Sequence, residues 1–108
     1  MLKYLWIVLL FSASAFAQPA YIHHEKGAAK LKNGQYAESI LDFDKAIKAD
    51  ATFFEAYIDR GRAYQALKKN DLALADFSKG VQLNPKFAPG FFYRGQFYAA
   101  TNQDKLAI

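Results

Sequence analysis

Residues 54–87 read FEAYIDRGRAYQALKKNDLALADFSKGVQLNPKF. This stretch decides the fold, because it divides into two amphipathic halves. In the first half, Tyr57, Ala63, Tyr64 and Leu67 recur at the i, i+3/i+4, i+7 spacing of one helix face. The spacing predicts a helix from Phe54 to Leu67. Lys68, Lys69 and Asn70 make a polar turn. A second helix is predicted from Asp71 to Leu83, with Leu72, Leu74, Ala75, Phe77, Ser78, Val81 and Leu83 inward or semi-inward. Asn84-Pro85 ends it, since proline cannot continue a helix and pushes the residue before it out of the α region.

The same stretch is echoed on either side of itself. Gly27, Gly61 and Gly95 lie 34 residues apart, and Tyr57 with Phe91, Arg60 with Arg94, and Tyr64 with Tyr98 keep the same step. So do Asp42 with Asp76, Phe43 with Phe77, and Lys45 with Lys79. A fixed period of this length marks stacked helical hairpins, each unable to bury its apolar face alone. The chain therefore divides into units 20–53, 54–87 and 88–108 after a leader at 1–17 and two further residues at 18–19. The expected fold is all-α, an α-solenoid of antiparallel helix pairs with about two and a half repeats.

These residues resemble the tetratricopeptide repeat (TPR) family. Its pattern of aromatic, Gly, aromatic, then Ala, aromatic, Ala and a closing Pro is met in the second unit by Tyr57, Gly61, Tyr64, Ala73, Phe77, Gly80 and Pro85. Gly27, Tyr36, Ser39, Phe43 and Ala46 supply it in the first unit, and Phe91, Gly95, Tyr98 and Ala107 in the third. Small residues at Gly61 and Ala73 let the paired helices approach closely, while Tyr57, Tyr64 and Phe77 fill the space beside them. Glycine inside a helix costs about 0.5–1 kcal/mol, which that close packing must offset. The first unit departs most. His23 and Lys30 stand at aromatic positions, and Ala51 replaces the closing proline. A wet outer face on a terminal repeat suits those changes.

The ends of the chain carry separate signals. Lys3, the apolar run Leu5–Phe11 and the small-x-small triplet Ala15-Phe16-Ala17 form the pattern of a secretory leader cleaved after Ala17. The apolar run is shorter than the ~20 residues a spanning helix needs. A periplasmic or secreted protein is expected, with no stable membrane insertion after cleavage. At the other end, Asp104–Ile108 opens the second helix of the third unit and stops, so the sequence reads as a fragment of a longer array.

Composition narrows function further. With 53% hydrophobic residues the chain can bury a core, and without cysteine it has neither a disulfide framework nor a thiol nucleophile. A formal charge of +4 is spread among interleaved acids, which argues against nucleic-acid binding, since that needs a basic stripe. No phosphate loop, nucleophile elbow or metalloprotease motif is present, so neither an enzyme nor a cofactor site is expected. His23-His24 does not suggest a metal. Neighbours on a helix point about 100° apart, and zinc needs three or four ligands. The pair is expected as partly exposed histidines near a helix start.

The resemblance implies that the first helix of each unit lines a concave groove. The implied partner-binding residues are His24 in the first unit, Ile58, Asp59 and Arg62 in the second, and Phe92, Tyr93 and Gln96 in the third. Ile58, Phe92 and Tyr93 are the expected apolar anchors, since aromatic anchors beside an arginine favour tight contacts. Some members of the family hold the C-terminal carboxylate of a chaperone tail with Lys, Asn and Arg. The corresponding positions here are His24, Ala28, Asp59, Pro89 and Tyr93, so that clamp is absent. Lys26, Arg60 and Arg94 precede the three glycines and are expected to pair with carboxylates such as Asp42 or Asp76, at the 0–1 kcal/mol (about) of a surface pair.

The expected function is a non-enzymatic scaffold or adaptor outside the cytoplasm that binds a protein or peptide along this groove. The alternative is that the repeats belong to a larger enzyme or sensor whose active domain lies beyond residue 108. Self-association through the incomplete third unit is a third reading.

Overall fold

A computed structural model describes residues 19–101. The leader expected at 1–17 and the helix opening expected at Asp104–Ile108 lie outside the described residues. Within them run five helices: α1 over 19–32, α2 (Tyr36–Ala49), α3 (Phe54–Ala66), α4 (Asn70–Leu83) and α5 (Ala88–Ala100). None is long and apolar enough to cross a membrane. The helix boundaries within 54–87 fall within a residue of those expected from periodicity.

The helix pairs close through the small-residue contacts that the period marks. A Cβ at Gly27 would sit 2.7 Å from the Phe43 ring, and one at Gly61 would sit 2.9 Å from Phe77 and 3.2 Å from the Ala73 carbonyl oxygen. Phe43 and Phe77 are fully buried. Each ring thus occupies the space a side chain would need on the facing helix. Phe43 packs with Ala46 and Ala56, flanked by Leu31, Ile47 and Phe53. Phe77 packs with Ile58, Ala73 and Phe97, flanked by Tyr64, Leu74, Tyr93 and Tyr98.

The turns repeat as well as the helices. Within each of the first two units, the chain leaves the first helix through a left-handed residue, Gly34 (φ +80°) and then Lys68 (φ +63°). Gln35 N–H bonds to the Lys30 carbonyl and Lys69 N–H to the Tyr64 carbonyl, both at 2.9 Å. Together with the bonds from Gly34 to Leu31 and from Lys68 to Gln65, these form Schellman ends. Between units, Asp50 Oδ1 accepts from Thr52 N–H at 3.0 Å, and Asn84 Oδ1 accepts from Lys86 N–H at 3.2 Å. Asp and Asn side chains stabilise turns in this way.

Two expectations about α4 need correction. Leu72 is 49% exposed and Ala75 is also exposed. The inward stripe is Ala73, Asp76, Phe77, Gly80 and Val81. Those positions follow one helical face, and Leu72 and Ala75 lie to its side.

The cations before the glycines also divide. Arg60 reaches across to Asp76 on α4, as expected, and also to Asp44 on α2. In the first unit Lys30, one turn after Lys26, makes the pair with Asp42, at 2.7 Å. The Arg94 guanidinium lies over the Phe91 ring at 5.5 Å.

Candidate functional site

The first helices of the three units, α1, α3 and α5, carry a chain of contacts made from the expected groove residues. His24 Nε2 lies 2.8 Å from Asp59 Oδ2. The other oxygen of Asp59 accepts from Arg62 Nη1 at 3.1 Å. The Arg62 guanidinium carbon sits 4.5 Å from the centre of the Tyr93 ring. Tyr93 in turn meets Phe92 edge-on, with ring centres 5.6 Å apart. This path links all three units. It follows from helical spacing: Asp59 and Arg62 are three residues apart on α3 and share a face.

His24 differs from its expected role. It is 6% exposed, not a partly free histidine, and its ring lies 5.7 Å from Phe43 and 5.2 Å from Phe53. Burial, the largest influence, favours the neutral ring. The hydrogen bond and charge of Asp59, with Glu55 and Glu25 behind it, outweigh burial and raise its pKa above 6.5. A histidine spent on this bridge is a positioning group for Asp59 and is not accessible to a partner.

Ile58 also departs from expectation. At 1% exposure it offers no surface for anchoring. Its side chain fills the space that a Cβ on Gly80 or Gly90 would need. It forms the floor of a hollow and does not project into the groove.

Two hollows flank the Arg62–Tyr93 contact. The larger, about 440 Å³, is lined by Leu31, Tyr36, Arg62, Gln65, Ala66, Lys68, Tyr93 and Gln96. The smaller, about 230 Å³, is lined by Glu55, Ile58, Asp59, Arg62, Phe87, Pro89 and Tyr93. Arg62 and Tyr93 form the wall between them. Gln96 joins the larger hollow, while Phe92 lies 60% exposed beside the wall. The sequence reading missed Tyr36 and Lys68, which come from α2 and from a turn. Register holds a signal for Lys68. It falls 34 residues after Gly34, at the one left-handed position of its unit.

Among the described residues, no group of three or more His, Cys, Asp or Glu side chains is placed to hold a metal ion. The smaller hollow has two carboxylates and one guanidinium. The larger has two cations and no carboxylate.

Tetratricopeptide repeat models match residues 20–53 and 54–87, the first two units of the fold. The chain belongs to the tetratricopeptide repeat family. Among solved structures, it is similar to the first TPR of Spaghetti (RPAP3) bound to the HSP90 peptide SRMEEVD. Identity is 31% and the TM-score 0.76, over 81% of this chain and 69% of that one. The second TPR of Spaghetti, bound to the same peptide, is 23% identical with a TM-score of 0.77, covering 85% of each chain. The Arabidopsis OM64 TPR domain is 22% identical with a TM-score of 0.78, over 83% of this chain and 74% of that one. The last two likenesses speak to fold alone. No curated protein matches the chain in sequence.

Proposed function

We propose that this TPR chain is a non-enzymatic interaction module that holds a peptide or helix against the inner surface of α1, α3 and α5, outside the cytoplasm. The observation that carries the binding reading is the Arg62–Tyr93 wall, with an open hollow on each side. An arginine laid on an aromatic ring presents a flat amphipathic surface at little entropic cost, and such pairs are favoured at the centres of interfaces. The first TPR of Spaghetti, 31% identical to this chain, is bound to an HSP90 peptide, which supports a peptide as the ligand here. The chaperone-tail clamp has no counterpart at His24, Ala28, Asp59, Pro89 and Tyr93, so the ligand proposed here is held differently. Export rests on the leader pattern of residues 1–17.

The test is capture of a partner from an envelope extract, with cross-linking to locate the contact. Arg62→Ala removes the wall without touching the buried cluster around Phe77, and a Phe92→Ala/Tyr93→Ala pair removes the aromatics. Both are expected to weaken capture at least about tenfold, as hot-spot truncations do. Undiminished capture by variants that keep their helical circular dichroism refutes the groove assignment. Fractionation of cells checks the compartment, and full-length protein retained in the cytoplasm refutes export.

A further inference from the structure

The two hollows differ in charge in a way that shape does not require. In the larger one, Lys68 makes no ion pair with a described residue, and Arg62 gives only Nη1 to Asp59. The rest of the Arg62 fork has no hydrogen-bond partner among the described residues. Its central carbon sits over the Tyr93 ring, 4.5 Å from the ring centre, and a single bond ties Nη1 to Asp59. A guanidinium positioned by these two contacts, with the rest of its donors free, can receive a carboxylate. In the smaller hollow, Asp59 is spent on His24 and Arg62, whereas Glu55 has no ion pair among the described residues.

We infer that the groove selects an internal peptide segment carrying an acidic side chain beside a basic one. The acidic side chain enters the larger hollow against Arg62 and Lys68. The basic one enters the smaller hollow against Glu55, across the Arg62–Tyr93 wall. The occupant is a through-running segment because hollows open on both sides of the wall, and a chain terminus would use only one of them. This rests on the groove-binding function proposed above and adds ligand chemistry to it. The cation that receives the acid is Arg62, one helical turn after Asp59, and not any residue at the family's clamp positions.

The experiment uses short dye-labelled peptides with acetylated and amidated ends, read by fluorescence anisotropy on the purified protein. Each has an apolar centre flanked by Glu then Lys, by Lys then Glu, by Glu on both sides, or by Lys on both sides. One mixed order is expected to bind about tenfold more tightly than either uniform peptide, a difference of roughly 1.4 kcal/mol. Lys68→Glu and Glu55→Lys should each remove most of that preference, and the double exchange should transfer it to the opposite order. Higher salt should reduce the preference, because the pairs are partly exposed.

Equal binding of all four peptides, no binding of any, or a preference unmoved by either variant overturns the inference. So does a peptide with a free C-terminus that outbinds the amidated ones whatever its side chains, since that identifies a terminus binder. Partner capture separates this inference from the function beneath it. Capture lost in the Phe92→Ala/Tyr93→Ala variant but unchanged in Lys68→Glu and Glu55→Lys keeps the groove and rejects the charge reading. Capture unchanged in all of them rejects the groove itself.

Discussion

Replacing Arg60 with methionine should unfold this protein far more readily than the loss of a surface ion pair would. Arg60 Nε and Nη2 each donate to one oxygen of Asp76, both at 2.8 Å, a bidentate fork. Nη1 donates to Asp44 on α2 at 2.9 Å. One guanidinium thus ties α2, α3 and α4 together. Asp76 is 5% exposed, and the Arg60 side chain 20%. Burial, the largest influence on Asp76, holds its carboxyl above the ordinary 3.8 even with Arg60 beside it. Removing one member of a buried pair costs about 3–5 kcal/mol, because the other charge is left without compensation. The residual exposure of Arg60 discounts this to about 2–4 kcal/mol, against the 0–1 kcal/mol (about) of a solvated pair. For a domain of this size, each kcal/mol moves Tm by about 4–8 °C, so a fall of at least ~8 °C is expected.

Urea and thermal unfolding followed by circular dichroism measure it. Two further arms probe the cause. The pair Arg60→Met with Asp76→Leu should recover most of the loss, since apolar replacement of a buried pair is often neutral. The deficit of Arg60→Met should also shrink in acid. A carboxyl with a raised folded pKa contributes stability that is present below 3.8 and lost as pH rises through the folded value. Without Arg60 that window widens upward, so the variant gains relative to the parent as pH falls from 7 toward 5. A loss below about 1 kcal/mol, equal at both pH values, would refute the reasoning.

Gly61→Ala gains about 1 kcal/mol of helix propensity. It also drives a Cβ to 2.9 Å from the buried Phe77 ring and 3.2 Å from a backbone oxygen. Overpacking of about 1–3 kcal/mol should win, and urea midpoints should drop, with partial rescue by Phe77→Leu. Lys68→Gly relieves a left-handed backbone at φ +63° and should raise stability by up to about 1 kcal/mol, whereas Gly34→Ala, at φ +80° with open space around it, should lower it by a similar amount. His24 has a raised pKa, so its contribution is full below 6.5 and lost as pH rises through the folded value. Unfolding free energy should therefore decline from pH 6 toward pH 8 in the parent, and His24→Gln should flatten that slope.

Much of the fold was legible because its rules are local. Helix faces follow a spacing, turns need a left-handed or Asx residue, and Gly27 and Gly61 stand where an aromatic ring presses from the facing helix. Those rules placed α3 and α4 within a residue, and they marked Gly61 as a point of close approach beside Phe77, a contact that Gly27 and Phe43 repeat in the first unit. Four of the residues expected in the groove, His24, Asp59, Arg62 and Tyr93, form one path of contacts.

Their roles were not legible, and one repeat position shows why. His24, Ile58 and Phe92 share it, 34 residues apart, yet they are 6%, 1% and 60% exposed. His24 is covered by Phe43 and Phe53 and bridged to Asp59. Ile58 is covered by Gly80 and Gly90 of the helices that follow it. Among the described residues nothing follows α5 to cover Phe92 in the same way. The sequence by itself determined the repeat and the extents of α3 and α4, because each depends on neighbours within a unit. Only the tertiary structure decided which equivalent side chains are buried, paired or free, because burial depends on the next unit stacked against them.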